Sequence, residues 1–138
     1  FLTDAINILL ESGARLRTQE VSVWLDAGIP DAVLETNRYL LAHGLDNSAE
    51  VAARFPESIL RSPVYVHPTA VLEGAVIGPF AAIGAGCTIR HAVITNSILD
   101  ENTKVENLVL EGSLLGRRVY AAGHADQLNL GDDAWIKK

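Results

Sequence analysis

Aliphatic residues recur through the second half of the chain at a period that fits neither a helix nor a hairpin. Val71, Ile77, Ile83, Ile89, Ile94, Leu99, Val105, Leu110 and Leu115 follow one another at intervals of 6, 6, 6, 5, 5, 6, 5 and 5 residues. A helix repeats its apolar positions every three or four residues and a strand every two. Two positions before these anchors stand Thr69, Ala75, Ala81, Cys87, Ala92, Ser97, Thr103, Leu108 and Ser113, of which eight are small. One large and one small inward position per repeat suits a narrow solenoid, whose turns stack like on like. Three repeats per turn give 18 residues from Val71 to Ile89 and 16 from Ile89 to Val105. That makes about three turns, with Tyr65 opening an incomplete one. A β-sandwich of short strands would instead show turn signals about every 8 to 12 residues.

The first half alternates helix and strand. Asp4 is placed to cap a helix carrying Ala5, Ile6, Leu9 and Leu10 on one side and stopping at Gly13. Val21, Val23 and Leu25 alternate with Ser22 and Trp24, which predicts a strand halted by Asp26, Gly28 and Pro30. Pro30 and Asp31 then open a second helix, with Val33, Leu34, Leu40 and Leu41 buried and Gly44 at its end. Residues 1–44 therefore read as the end of an α/β domain and 45–63 as a linker with one short helix around Glu50 to Phe55. The solenoid and its tail occupy 64–138.

Residues just before each anchor must point outward, because neighbours on a strand alternate. They gather into three faces: Ala70, Thr88 and Lys104; Val76, Val93 and Val109; and Ala82, Ile98 and Leu114, the last extended by Val64. Two aliphatic faces call for cover by a catalytic domain, a helix or another subunit, so a homo-oligomer is expected. The alternative is that the tail from Val119 to Trp135 folds back over one of them.

Composition narrows the functional classes. With 49% hydrophobic and 20% charged residues the chain has ample material for a core. A net charge of -6, and no basic run longer than Arg117-Arg118 or Lys137-Lys138, argue against nucleic acid and anionic membranes as partners. The uncharged stretch from Gly74 to Ile89 contains four glycines and a proline, and the repeat explains it better than a membrane span does. A single cysteine excludes an internal disulfide and suits a reducing, cytoplasmic setting.

The repeat, including Ile77-Gly78 and Ile83-Gly84, resembles the hexapeptide repeat of left-handed parallel β-helices, and the resemblance alone supplies the hand. Leu2-Thr3-Asp4-Ala5-Ile6, Glu11-Ser12-Gly13, Val23-Trp24-Leu25-Asp26-Ala27-Gly28 and Leu34-Glu35-Thr36-Asn37-Arg38 resemble the end of the catalytic domain in sugar-1-phosphate nucleotidyltransferases, glucose-1-phosphate thymidylyltransferases in particular. In that family the aspartate of the tryptophan-x-aspartate-x-glycine segment helps hold the catalytic Mg²⁺. Carried over, that residue is Asp26, with Gly28 serving the turn and Trp24 packing. Locally, Asp26 also reads as an ordinary turn aspartate. The substrates implied are a nucleoside triphosphate and a sugar 1-phosphate. Ile29-Pro30 departs from the family's usual threonine after that glycine, and proline at the second position is common in mannose-1-phosphate guanylyltransferases, so the base is left open. The family's glycine-rich nucleotide loop has no counterpart here. The chain is thus expected to be a C-terminal fragment that is inactive alone.

Many left-handed β-helix proteins are acyltransferases that use acyl-CoA and a histidine base, which supplies the rival reading. His91 is its best candidate, with Asn102 and Lys104 as neighbours one turn away; a solvated corner histidine is the plainer reading. His67 and His124 are weaker candidates, and Cys87 reads as a packed interior thiol.

Overall fold

Inward residues stacked a turn apart let each backbone segment pair with the segment one turn below. From Ile59 onward the chain does this in parallel throughout. The computed structural model describes residues 1–123 and 129–137. Three sheets of four, five and five strands form the sides of a parallel β-helix. The first face comprises Ile59–Leu60, Val76–Ile77, Val93–Thr95 and Val109–Glu111. The second comprises Val64–Val66, Ala81–Ile83, Ile98–Leu99, Leu114–Leu115 and Asn129–Leu130. The third comprises Val71–Glu73, Thr88–Arg90, Lys104–Glu106, Tyr120–Ala122 and Trp135–Lys137.

The interior is made of the predicted anchors from Ile77 to Leu115, all buried, with Ala75, Ala81, Cys87 and Ala92 in the small sites between them. Three small sites are polar. Ser97, Thr103 and Ser113 are fully buried, and their hydroxyls donate to the carbonyls of Thr95, Gly116 and Glu111 at 2.6, 2.7 and 3.1 Å. A dry core accepts them because each is paired.

The register differs from expectation at the first turn. Val71 is 44% exposed and Leu72 5%, so Ala70 and Leu72 are the inward pair and Val71 heads the third outward column. The cause is Thr69, whose hydroxyl accepts the amide of Gly86 at 2.9 Å from the corner and cannot enter the core. Val64 is likewise buried, leaving Tyr65 as the outward residue of the second face. The described part of the tail does not fold back either: Tyr120–Ala122, Asn129–Leu130 and Trp135–Lys137 continue the sheets.

The corners turn through left-handed backbone. Gly74, His91, Asn107 and Gly123 form one column of positive φ, Phe80, Asn96 and Gly112 a second, and Gly86, Asn102, Arg118 and Asp133 a third. Asparagine, aspartate and histidine tolerate this region better than other side chains do.

Helix α1 (Leu2–Glu11) has Asp4 inside its first turn, with Phe1 in the capping place, and buries no residue. The strand expected at Val21 to Leu25 does not form: the stretch lacks regular structure, and Trp24 is 85% exposed instead of packed. A strand is held by its neighbours, and among the described residues none lies alongside. Helix α2 (Pro30–Leu40) forms where predicted and continues into a π-type turn, Leu41–Leu45, with Gly44 at φ 118°. Leu34 and Leu41 are buried, while Leu40 is exposed. The short helix α3 (Ser48–Val51) and a 3-10 turn, Ala52–Arg54, follow. Val51 and Phe55 join the β-helix core, and Ile59–Leu60 begins the first sheet inside the stretch read as a linker.

Candidate functional site

Asp26 lies in an exposed turn built by its own side chain. Its Oδ1 accepts the amides of Ala27 and Gly28 at 2.7 and 3.0 Å, and its carbonyl accepts the Thr36 hydroxyl at 2.7 Å. A Cβ at Gly28 would approach that Oδ1 to 3.3 Å, which gives the glycine its place. The turn thus fixes the carboxylate against the first turns of α2 and leaves Oδ2 without a hydrogen bond among the described residues. One exposed carboxylate oxygen can serve as a single ligand to a hard cation. No group of three or more His, Cys, Asp or Glu side chains able to hold a metal occurs among the described residues.

Helix α2 is joined to the β-helix at one corner. The Asn37 amide donates to the Phe80 carbonyl at 3.1 Å, Arg38 Nε donates to Asn96 Oδ1 at 2.6 Å, and the guanidinium lies 5.9 Å from the Phe80 ring centre. Phe80 is held at φ 61°, an unusual angle for a bulky side chain, at the point where α2 grips it. Between the helix and the second face runs an apolar groove of about 460 Å³, lined by Val33, Tyr65, Ala82, Ile98, Leu114 and Leu130. A helix therefore half-covers one of the two aliphatic faces.

His91 occupies a corner at φ 49° and is exposed. Its neighbour one turn on is Asn107, not Asn102 or Lys104; Asn102 belongs to the column of Gly86, and Lys104 pairs with Thr88. One turn below, His91 crowds Gly74, where a Cβ would come within 2.8 Å of Nδ1. Next to it Arg90 bridges Glu73 at 2.8 Å and Glu106 at 3.5 Å. The hydrogen bond from Arg90 holds the Glu73 carboxyl below its ordinary range. His67 Nδ1 pairs with the Thr69 hydroxyl at 2.9 Å, and His124 lies outside the described residues. Cys87 is fully buried and donates to the Asp100 carbonyl at 3.0 Å, and burial raises its pKa. It is a packed thiol.

One functional group was not anticipated: the end of the solenoid below Val64 is closed by side chains. Asp46 accepts from the Ser62 hydroxyl and the Val64 amide at 2.5 and 3.0 Å, while Asn47 accepts from Val66 N and donates to Val66 O at 2.9 Å each. Arg54 donates to the Pro68 carbonyl at 2.5 Å. These side chains stand in for a missing strand at an open sheet edge. The signal was the Asp46-Asn47 pair just ahead of α3, whose partners lie 16 to 19 residues away.

Set against known proteins, the chain aligns over 99% of its length with a glucose-1-phosphate thymidylyltransferase of Streptomyces antibioticus, at 26% identity. It spans 44% of that relative's length. Among solved structures it is similar to the acetyltransferase domain of PglB from Neisseria gonorrhoeae FA1090, at 18% identity and a TM-score of 0.28, covering 95% of this chain and 68% of that one. No family model matches the chain. The resemblance to sugar-1-phosphate nucleotidyltransferases, read from segments between Leu2 and Arg38, is thus joined by an alignment over 99% of the chain.

Proposed function

We propose that this chain is the β-helix-bearing part of a nucleotide-sugar pyrophosphorylase, acting in the cytoplasm on a nucleoside triphosphate and a sugar 1-phosphate. The end-to-end alignment with the Streptomyces thymidylyltransferase carries this reading, and thymidine triphosphate with glucose 1-phosphate is the pair it favours. In such a reaction a sugar-phosphate oxygen attacks the α-phosphorus, the bond to the β-phosphate breaks, and pyrophosphate leaves. Asp26 is the residue of this chain we assign to the metal, with its turn holding the carboxylate through Oδ1 and leaving Oδ2 of the exposed side chain for the cation. A Mg²⁺ bound there would neutralise charge developing on the phosphate oxygens. The β-helix serves as scaffold and as an assembly surface.

The test is Asp26→Asn in a protein of the relative's length that carries this chain. Turnover should fall on the order of a hundredfold or more while the fold is kept, since one lost metal ligand removes several kcal/mol of charge stabilisation. Pyrophosphate release at the normal rate would make Asp26 a turn residue only.

A further inference from the structure

The first face of the β-helix carries two outward columns. One is aliphatic, Ile59, Val76, Val93 and Val109, in lateral register along the sheet. The other starts at Arg61 and ends with Thr95 and Glu111; between them Gly78 presents no side chain, and a Cβ there would point back at the Arg61 carbonyl and the buried Val64 rather than out of the face. Ile59 and Val109, at the two ends, are 56% and 52% exposed. Among the described residues neither Arg61 nor Glu111 has an ion-pair partner. Helix α2 meets the molecule at the next corner, through Asn96, and leaves the aliphatic column open.

We propose that this face binds a second copy of the chain, with the two β-helices antiparallel about a twofold axis that lies in the interface along the strands. That operation keeps each column opposite its own copy and reverses the order of the turns. Ile59 then meets the other copy's Val109, Val76 meets Val93, and Arg61 meets Glu111, twice over. Gly78 leaves room opposite Thr95. The parallel arrangement, with the axis along the solenoid, would set the aliphatic column against Arg61, Thr95 and Glu111 and leave the charges unmatched. An isologous contact must be complementary to itself, and charge order along the face selects one of the two orientations. Four strands about 4.8 Å apart make a face much smaller than the ~800 Å² per partner of a tight complex. Association is therefore weak, with a Kd on the order of tens of micromolar. The inference is independent of the chemistry proposed above.

Sedimentation equilibrium of the chain over a concentration series tests it, with circular dichroism to show that each variant stays folded. The chain should pass from monomer to dimer, and Val93→Lys should abolish the dimer. Arg61→Glu alone should weaken it about tenfold, by placing like charges opposite each other twice. Combining Arg61→Glu with Glu111→Arg should return the affinity to within about threefold of the original, because the pair is restored in reverse. A chain that stays monomeric, a dimer indifferent to Val93→Lys, or a double variant no tighter than the single one would each overturn the proposal.

Discussion

Asp46 shows how one side chain in an unremarkable stretch can carry a measurable effect. Burial opposes its ionisation, but hydrogen bonds from Ser62, Val64 and Ser48 outweigh that and bring the pKa down from 3.8 to about 2. A depressed carboxyl stabilises the fold above its unfolded pKa and loses that contribution as pH falls through the folded one. Asp46→Asn should therefore cost about 1 kcal/mol at pH 6, a figure discounted for the exposure of the group. The gap between the two proteins should close between about pH 4 and pH 2; thermal melts across that range check it, and a constant gap would contradict the assignment. Cys87 gives a second residue-level test. A buried thiol with a raised pKa should resist alkylation at pH 8 until the protein is unfolded. His91 supplies a third. At φ 49° the histidine already carries most of the left-handed penalty, so His91→Ala should cost only about 0.5 kcal/mol, and His91→Gly should be neutral or stabilising. Calorimetry with acetyl-CoA on the same proteins should show no binding if His91 is a corner residue; binding lost in the variants would favour acyl transfer.

At the scale of the element, the turns are spaced by backbone contact. A Cβ on Gly84 would lie 2.8 Å from the Leu99 carbonyl and 3.1 Å from Asp100 C, so Gly84→Ala has to push one turn from the next. Overpacking of that kind costs about 1–3 kcal/mol, and a chemical denaturation curve would show it as a lower midpoint at unchanged slope. Arg38→Ala should release α2 from its corner at a cost of about 1–2 kcal/mol, from one hydrogen bond and one cation–π contact. Elements that contain their own stabilising partners were legible in the sequence. The hexad register from Ile77 to Leu115 is local repetition, and Pro30-Asp31 is a local helix-start signal at the head of α2. The strand expected at Val21 to Leu25 had the right alternation but depended on neighbours that the pattern does not name. The slip at Val71 arose from Thr69, whose hydroxyl is held by Gly86 a full turn away. Asp46, Asn47 and Arg54 were hidden for the same reason, because their partners are brought close only by the coiling.

At the scale of the molecule, the β-helix is closed by side chains below Val64, half-covered by α2 along its second face and open along its first. Its chemistry-bearing residues are scattered. Asp26 stands in its turn beside α2, His91 stands at a corner with Asn107, and Cys87 is buried. On the reading proposed above, such a body is the scaffold part of a longer nucleotide-sugar pyrophosphorylase. The most direct measurement is pyrophosphate release from nucleoside triphosphates with hexose 1-phosphates. It should compare residues 1–138 alone with the same chain inside a protein of the relative's length. The account predicts sugar-phosphate-dependent release from the longer protein and none from the 138-residue chain. Turnover by the short chain, or a longer protein that releases no pyrophosphate with any pair, would contradict it.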